Sequence, residues 1–395
     1  MMLKSFAASF CLLGLPAFAE DAKPAAPVAA VAQGVDESLV REAAAAAGRS
    51  AKFLISKQEA NGSWMEHVAM TALSATAVAT SVDAAQYKDQ LAKALAFLKT
   101  QAQTDGSIYT PGDKAGPNYS TCCAIMALYA IDRNGCKELI QAGRRFITKA
   151  QFGPDTGIEK GGIGYGSDKT KSDLSNTQFA MEALYVTASV DKDGAKPEDV
   201  EATKQAMARA LEFVTRCQKN APTNSAPFSV ADEFPEDEGG FIYSPDRTKV
   251  EDKNAKPGEA QALRVYGSMT YAGLKSMIYA EVQKDDPRVK AALTWVANHY
   301  TVKENPGMGA MGHFYYLQTM GKALDAAGLS TVTDSKGVVH KWRNDLIGHL
   351  LSNQAADGSW VNAEGRWMES IPTLVTAYSL MTLNFATARD IYKAK

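Results

Sequence analysis

The chain has 395 residues, of which 46% are hydrophobic and 22% are charged, and its net charge is −2. This composition is typical of a globular protein, and the length would suffice for two or three average domains. Lysine and arginine are spread along the chain rather than gathered in one stripe, so the sequence lacks the basic surface that nucleic acids require. We therefore expect no nucleic-acid partner.

Residues 1–19 have the three parts of a secretory signal peptide. Lys4 precedes an apolar run that ends at Phe18, and Ala17-Phe18-Ala19 has the small-x-small form that signal peptidase cleaves. The run is too short for a permanent bilayer-spanning helix, so no transmembrane segment is predicted. Residues 20–36 follow as an Ala/Pro-rich tether. The mature protein is thus predicted to be secreted or periplasmic.

An internal repeat occupies most of the remaining chain. Each copy of the repeat begins with an aromatic and an aliphatic residue, continues with Gln and ends with Gly-x-Trp. One full copy runs from Phe53 to Trp64. A second runs from His349 to Trp360 with the same spacing and has His in place of the aromatic residue. Weaker copies occur at Phe97-Leu98, Phe146-Ile147 with Gln151, Phe213-Val214 with Gln218, and Trp295-Val296 with Tyr300 in the Gln place. The chain therefore contains six repeats.

Each repeat is predicted to be a helical hairpin. Its first helix alternates charged and aliphatic residues and should face solvent, whereas its second helix is apolar on all sides and should be buried. The predicted second helices are His67–Thr80, Tyr119–Ile131, Leu174–Ala188, Ser268–Ala280, Gly312–Leu324 and Ile371–Phe385. The steps between copies vary too much for an open solenoid of uniform units. We therefore predict an all-α fold, an (α/α)6 toroid with six outer and six inner helices.

The repeats leave no room for a second folded domain. We expect one toroid domain over residues 37–388, a C-terminal tail over 389–395, and no paired strands apart from a few extended residues around Gly240–Tyr243. Without the signal peptide four cysteines remain, and their spacing lacks a CxxC or zinc-like pattern. Buried free thiols are favoured over one disulfide among Cys122, Cys123, Cys136 and Cys217.

The repeat resembles the QW motif of squalene–hopene and oxidosqualene cyclases. The Gly239-Gly240-Phe241 turn and the later run Tyr266–Leu274 resemble the repeat of protein prenyltransferase β subunits. Together these patterns are similar to the terpenoid cyclase and prenyltransferase α-toroid superfamily, in which inner helices line a cavity for an isoprenoid or another large apolar group. The resemblance implies that the Gln bonds unpaired amides at the start of the next helix and that the Trp packs beneath it.

The catalytic motifs of that superfamily are absent from the sequence. There is no DxDD acid segment and no DCTAE signature, and the acidic run Asp232–Glu238 is predicted to be a solvated loop. The zinc-ligand positions of the prenyltransferases fall on Ser268 and Thr270, with only His313 near the third. No metal and no cofactor are therefore predicted, and whether the protein is an enzyme stays open.

Polar residues at the start of the inner helices are the candidate site, because helix N-termini favour anions and acidic side chains. If the ring closes, they converge on one mouth of the cavity. Candidates for proton transfer are His67, Asp173 and His313, with helix capping or another structural role as the alternative for each. Candidates for ligand binding are Glu66, Tyr165, Tyr243, Tyr266, Tyr315, Tyr316 and Glu369, with core packing as the alternative for the tyrosines.

Three functions remain open at this stage. The first is an exported terpenoid-cyclase-like toroid that binds an apolar or isoprenoid-like ligand. The second is a cell-envelope scaffold that holds a protein partner through the insertion Asn220–Leu263. The third is a carbohydrate-active (α/α)6 enzyme, such as a polysaccharide lyase, with Trp64, Trp360 and Trp367 available to stack on sugars.

Overall fold

The computed structural model describes residues 35–112, 115–166, 170–251 and 262–387, except for the side chain of Asp193. The predicted signal peptide, most of the predicted tether and the predicted tail lie outside these residues. The helices are α1 (Glu37–Ser56), α2 (Val68–Ala79), α3 (Lys88–Thr100), α4 (Gly116–Asp132), α5 (Lys137–Ala150), α6 (Leu174–Val186), α7 (Pro197–Arg216), α8 (Pro227–Val230), α9 (Gly267–Tyr279), α10 (Pro287–Asn298), α11 (His313–Ala326), α12 (Trp342–Asn353) and α13 (Pro372–Ala386).

The helices form two layers, which confirms the predicted all-α toroid. Helices α2, α4, α6, α9, α11 and α13 are the inner layer, and they bury almost every residue because apolar side chains surround each axis. Their ends lie within three residues of the predicted ones. The outer helices bury only one stripe each. Within the described part of the chain, no helix combines the length and hydropathy that a membrane span requires.

The ring closes where the last repeat meets the first. Each inner helix packs against the next, and α13 packs against α2. The side-chain amide of Asn384 donates to the hydroxyl of Thr80 at 2.9 Å, and that of Gln354 donates to the carbonyl of Ala46 at 3.1 Å. These bonds join residues about 300 positions apart in sequence.

The repeated glutamines join neighbouring repeats through carbonyl groups. In four repeats the Gln amide nitrogen donates to the carbonyl of the turn glycine and to a carbonyl of the next outer helix, as Gln151 does to Gly161 and Ala206, both at 2.8 Å. The other three glutamines are Gln58, Gln218 and Gln354. The expectation that the Gln bonds helix-starting amides is therefore wrong. A primary amide carries two donor hydrogens, which suits two carbonyl partners.

The tryptophans at the end of the repeat frame are fully buried. The indole of Trp64 donates to the carbonyl of Leu54 at 2.7 Å, and Trp360 makes the same bond to Leu350 at 2.9 Å. These carbonyls lie in the last turn of an outer helix, where carbonyls have no amide donor four residues on; that of Leu54 also accepts from the amide of Lys57 at 2.9 Å. The backbone amide at each Trp position, and at three further repeat turns, donates to an inner-helix threonine: Thr71, Thr121, Thr177, Thr270 and Thr376.

A short antiparallel hairpin, absent from the sequence prediction, connects α11 and α12. Its strands are β1 (Val332–Thr333) and β2 (Val339–His340). Asp334 shapes the turn, because its carboxylate accepts from the amides of Lys336 and Val338, both at 2.9 Å. Phe241 makes an isolated bridge with Gln218, which matches the extended residues expected near Gly240.

Four cysteines of the described chain, Cys122, Cys123, Cys136 and Cys217, are buried free thiols. Burial raises the pKa of the Cys123 thiol to about 12, so it stays protonated at neutral pH. Deep between the inner helices, the Glu182 carboxylate pairs with the ammonium groups of Lys275 at 2.6 Å and Lys322 at 2.5 Å. Burial alone would raise the pKa of Glu182, but the two lysines hold it at about 2.

The repeat predicts that Trp360→Ala destabilises the fold. Trp360 is 1% exposed, and truncating a fully buried Trp costs about 3–5 kcal/mol. Trp367→Ala is the matched control because Trp367 is 41% exposed. Urea unfolding followed by circular dichroism should show a clearly lower midpoint for Trp360→Ala and a much smaller change for the control. Equal midpoints for Trp360→Ala and the wild type would contradict this description of the repeat.

Candidate functional site

A cavity of about 610 Å³ opens at the N-terminal ends of the inner helices. Its size falls within the range of small-molecule sites, and its walls are largely aromatic and aliphatic. The lining residues are His67, Ala69, Met70, Leu73, Ala115, Tyr119, Tyr165, Ser175, Phe179, Tyr243, Lys249, Tyr266, Ser268, Met269, Tyr315, Trp367, Met368, Glu369, Leu374 and Tyr378. All six inner helices, or the residues that precede them, contribute.

Four aromatic side chains from α4, α6, α11 and α13 form a closed ring of contacts in the cavity wall, which we call the aromatic quartet: Tyr119, Phe179, Tyr315 and Tyr378. Neighbouring ring centroids lie 4.8, 6.3 and 6.2 Å apart, and the Tyr119 and Tyr378 hydroxyls close the circuit at 3.3 Å. Centroid separations of this size are those of favourable aromatic pairs. The quartet therefore gives the cavity a rigid apolar wall.

A buried acid lies directly behind the wall. Asp173 is the N-cap of α6, and its carboxylate accepts from the backbone amide of Asn176 at 2.7 Å and from the side-chain amide of Asn176 at 3.0 Å; Tyr243 lies nearby. Burial raises the pKa of Asp173 to about 6, against the lowering effects of Asn176, Tyr243 and the charge of Lys249. Asp173 itself does not line the cavity, but Tyr243 does. Asp173 and Tyr243, here called the Asp173–Tyr243 pair, thus place a group that can hold a proton beside the cavity wall.

Lys249 is the cation of the cavity wall. It is half-buried, and its ammonium lies 4.3 Å from the ring centroid of Tyr243, a cation–π contact. Burial lowers the pKa of Lys249, while the nearby carboxylate of Asp173 counteracts this effect.

Glu369 caps a neighbouring helix rather than its own. Its carboxylate accepts from the amides of Phe314 at 3.2 Å and Tyr315 at 2.8 Å, which are unpaired donors at the start of α11. Burial raises the pKa of Glu369, and these bonds lower it in part. The preceding Trp367 has a left-handed backbone, with φ of 55°, and packs on Gly312, where a Cβ would meet the indole at 2.8 Å.

His67 both lines the cavity and caps α2. Its Nδ1 accepts from the amides of Ala69 at 3.1 Å and Met70 at 3.3 Å. An Nδ1 that accepts leaves the proton on Nε2 in the neutral ring. The Nδ1 atom of His67 therefore has the helix-capping role that the sequence offered as the alternative to proton transfer.

The structure brings some of the predicted residues to the cavity and leaves others outside it. Tyr165, Tyr243, Tyr266, Tyr315, His67 and Glu369 line the cavity; Asp173, Glu66, Tyr316 and His313 do not. Glu66 is exposed, and the Tyr316 hydroxyl donates to the carbonyl of Thr301 at 2.6 Å.

His313 lies on the side of α11 that faces away from the cavity. Its Nε2 is 3.0 Å from the carbonyl of Val302, and its ring centroid is 5.1 Å from that of His349. Burial lowers the pKa of His313. The expectation that His313 converges on the cavity mouth is therefore corrected, and its proposed part in proton transfer has no support from its position.

Sequence reasoning missed the aromatic quartet apart from Tyr315, and it missed Lys249. The quartet residues share a signal, since each lies within the first two turns of an inner helix. Lys249 lies in an insertion and has no counterpart in the repeat. Within the described residues, no group of three or more His, Cys, Asp or Glu side chains is arranged to hold a metal ion.

No protein-family model and no curated protein sequence matches the chain. Solved structures do match. The type II terpene cyclase MstE from Scytonema, without ligand, superposes with a TM-score of 0.52 and 14% identity over 89% of this chain and 99% of that chain. An MstE variant bound to its substrate, geranylgeranyl dihydroxybenzoate, gives a TM-score of 0.52 and 13% identity over 89% and 99%. This chain shares its fold with a type II terpene cyclase. A glycosidase in complex with glucose reaches only 0.48 with 12% identity over 90% and 99%.

The raised pKa of Asp173 predicts a pH-dependent stability. Because the folded pKa lies above the unfolded one, its stabilising contribution is complete below about pH 4 and is lost as the pH rises through 6. We expect the wild type to lose about 2–3 kcal/mol relative to Asp173→Asn between pH 4 and pH 7, since each pKa unit corresponds to about 1.4 kcal/mol. Denaturant unfolding of both proteins at pH 4 and pH 7 measures this difference in the free energy of unfolding.

Asp286→Asn is the matched control, because Asp286 caps α10 and its pKa is lowered by hydrogen bonding to Arg288. Its stabilising contribution is instead lost as the pH falls, so the wild type should not lose stability relative to this variant as the pH rises. A pH-independent difference between the wild type and Asp173→Asn would rule out the raised pKa.

Proposed function

We propose that the cavity binds an apolar, isoprenoid-like ligand. The observation that carries this proposal is the cavity wall, in which the aromatic quartet, three methionines and two leucines surround about 610 Å³. A chain of isoprene units has methyl groups and double bonds along its length, and such groups pack well against aromatic faces and thioethers. The shared fold with a terpene cyclase that binds a geranylgeranyl compound supports the same class of ligand.

The Asp173–Tyr243 pair is the proposed acid–base group if a reaction takes place there. A carboxyl group with a pKa of about 6 is protonated in part near neutrality, and Tyr243 connects it to the cavity. The sequence lacks DxDD, so this acid would differ from the one in the cyclases it resembles.

Filling the cavity tests the binding proposal. Ser175→Trp places an indole beside Tyr315, whose hydroxyl lies 3.2 Å from that of Ser175. We expect at least a tenfold loss of affinity for geranylgeraniol, measured by titration calorimetry in detergent below its micelle concentration. Ser352→Trp, an exposed position on α12, is the matched control and should bind like the wild type. Circular dichroism verifies that both variants fold. Unchanged binding in folded Ser175→Trp would place the ligand elsewhere.

The insertion Asn220–Leu263 contributes to the cavity. Its described part supplies Tyr243 and Lys249 to the wall, so it has a role within this chain. A protein partner for this insertion stays a prediction, as does a carbohydrate substrate.

We also propose that the protein acts outside the cytoplasm, because residues 1–19 have the pattern of a signal peptide. Expression of the full chain in a bacterial host, followed by mass spectrometry of the periplasmic and medium fractions, tests this. Export with an N-terminus at Glu20 is expected. A cytoplasmic product that retains Met1 would contradict it.

A further inference from the structure

One cation of the cavity wall, Lys249, has no ion-pair partner among the described residues. Within the described part of the chain, the Lys249 ammonium makes no hydrogen bond or ion pair; it lies over the ring of Tyr243, and the charge of Asp173 acts on it from nearby. Lys275 and Lys322, by contrast, share the carboxylate of Glu182. A half-buried ammonium without a counter-ion is costly unless an anion reaches it.

Two arginines near Lys249 have acidic partners in the described part of the chain. Arg366 bonds Glu251 at 2.8 Å, and Arg247 lies 3.7 Å from Glu159. The carboxylate of Glu369 is held by the amides of α11. Among the described lining residues, Lys249 is therefore a cation that a ligand could pair with.

Asp173 is an acid near Lys249, but it does not act as the counter-ion of the Lys249 ammonium. Its oxygens accept from the backbone and side chain of Asn176, and no ion pair joins it to Lys249 among the described residues. Burial raises the pKa of Asp173, which lets it take up a proton when a second anion approaches.

We infer that the ligand is an amphiphile with a single carboxylate. Its apolar chain fills the cavity, and its carboxylate pairs with Lys249. This inference rests on the proposed function, the binding of an apolar ligand. The Lys249 ammonium, which has no ion pair among the described residues, matches one negative charge. A diphosphate carries more charge and would need several cations or a metal ion, whereas the arginines here are already paired. The pair would form where the wall excludes much of the water, which strengthens it relative to a surface pair.

The test compares two probes of equal chain length, geranylgeranoic acid and geranylgeraniol, by titration calorimetry at pH 8. The wild type should bind the acid at least tenfold more tightly than the alcohol. In Lys249→Met the ratio of the two affinities should fall at least tenfold, and Lys249→Arg should restore part of it. Lys52→Met, at an exposed position on α1, is the matched control and should keep the wild-type ratio.

The outcomes separate this inference from the proposed function. Equal wild-type affinities for acid and alcohol, or a preference for the acid that survives in Lys249→Met, would overturn the role of Lys249 while the cavity proposal stands. Tighter binding of geranylgeranyl diphosphate than of the acid would overturn the assignment of a single carboxylate. A wild type that binds neither probe would refute the proposed function and this inference with it.

Discussion

The toroid depends on the close approach of each repeat turn to the next outer helix. At five turns a glycine with a positive φ lies so near a backbone carbonyl of that helix that any Cβ would collide with it. The pairs are Gly62 with Lys93, Gly106 with Ala142, Gly161 with Arg209, Gly239 with Ala291, and Gly358 with Arg49. The last pair joins the sixth repeat to the first. The same contact that spaces the repeats therefore also closes the ring.

This spacing determines where polar groups are found. Because every inner helix begins just after a turn, all six N-termini lie at one end of the ring, and their unpaired amides need acceptors. Asp173, His67 and Glu369 supply acceptors to α6, α2 and α11. Capping thus brings an acid, an imidazole and a second acid to the rim of an apolar cavity. The acids and the imidazole of the site are therefore present because the amides at the helix N-termini need hydrogen-bond acceptors.

The sequence predicted the fold well because its signal is local and repeated. Each frame from aromatic to Gly-x-Trp marks the end of an outer helix and the start of an inner one, so the helices could be placed within a few residues. Residues at the helix starts, such as Asp173 and His67, could be placed for the same reason.

The other site residues could not be placed from the repeat, because their positions depend on the direction in which a side chain leaves its helix or on segments inserted between repeats. Tyr315 and Tyr316 are adjacent in sequence but about 100° apart around α11, so only Tyr315 faces the cavity. His313 is likewise turned away, toward Val302 and His349. Trp367 and Lys249 lie in segments that interrupt the repeat, and periodicity does not position them.

A buried charge cluster lies further along the inner helices than the residues that line the cavity. Glu182 lies eight residues after the start of α6, or about 12 Å along its axis, where it pairs with Lys275 and Lys322. An apolar chain at that depth would have to separate or desolvate these ions, which costs several kcal/mol per ion. We therefore expect a ligand's apolar end to stop in the upper half of the ring, beside the aromatic quartet. Its polar end must then remain at the mouth, where Lys249 has no ion pair among the residues that the structure describes.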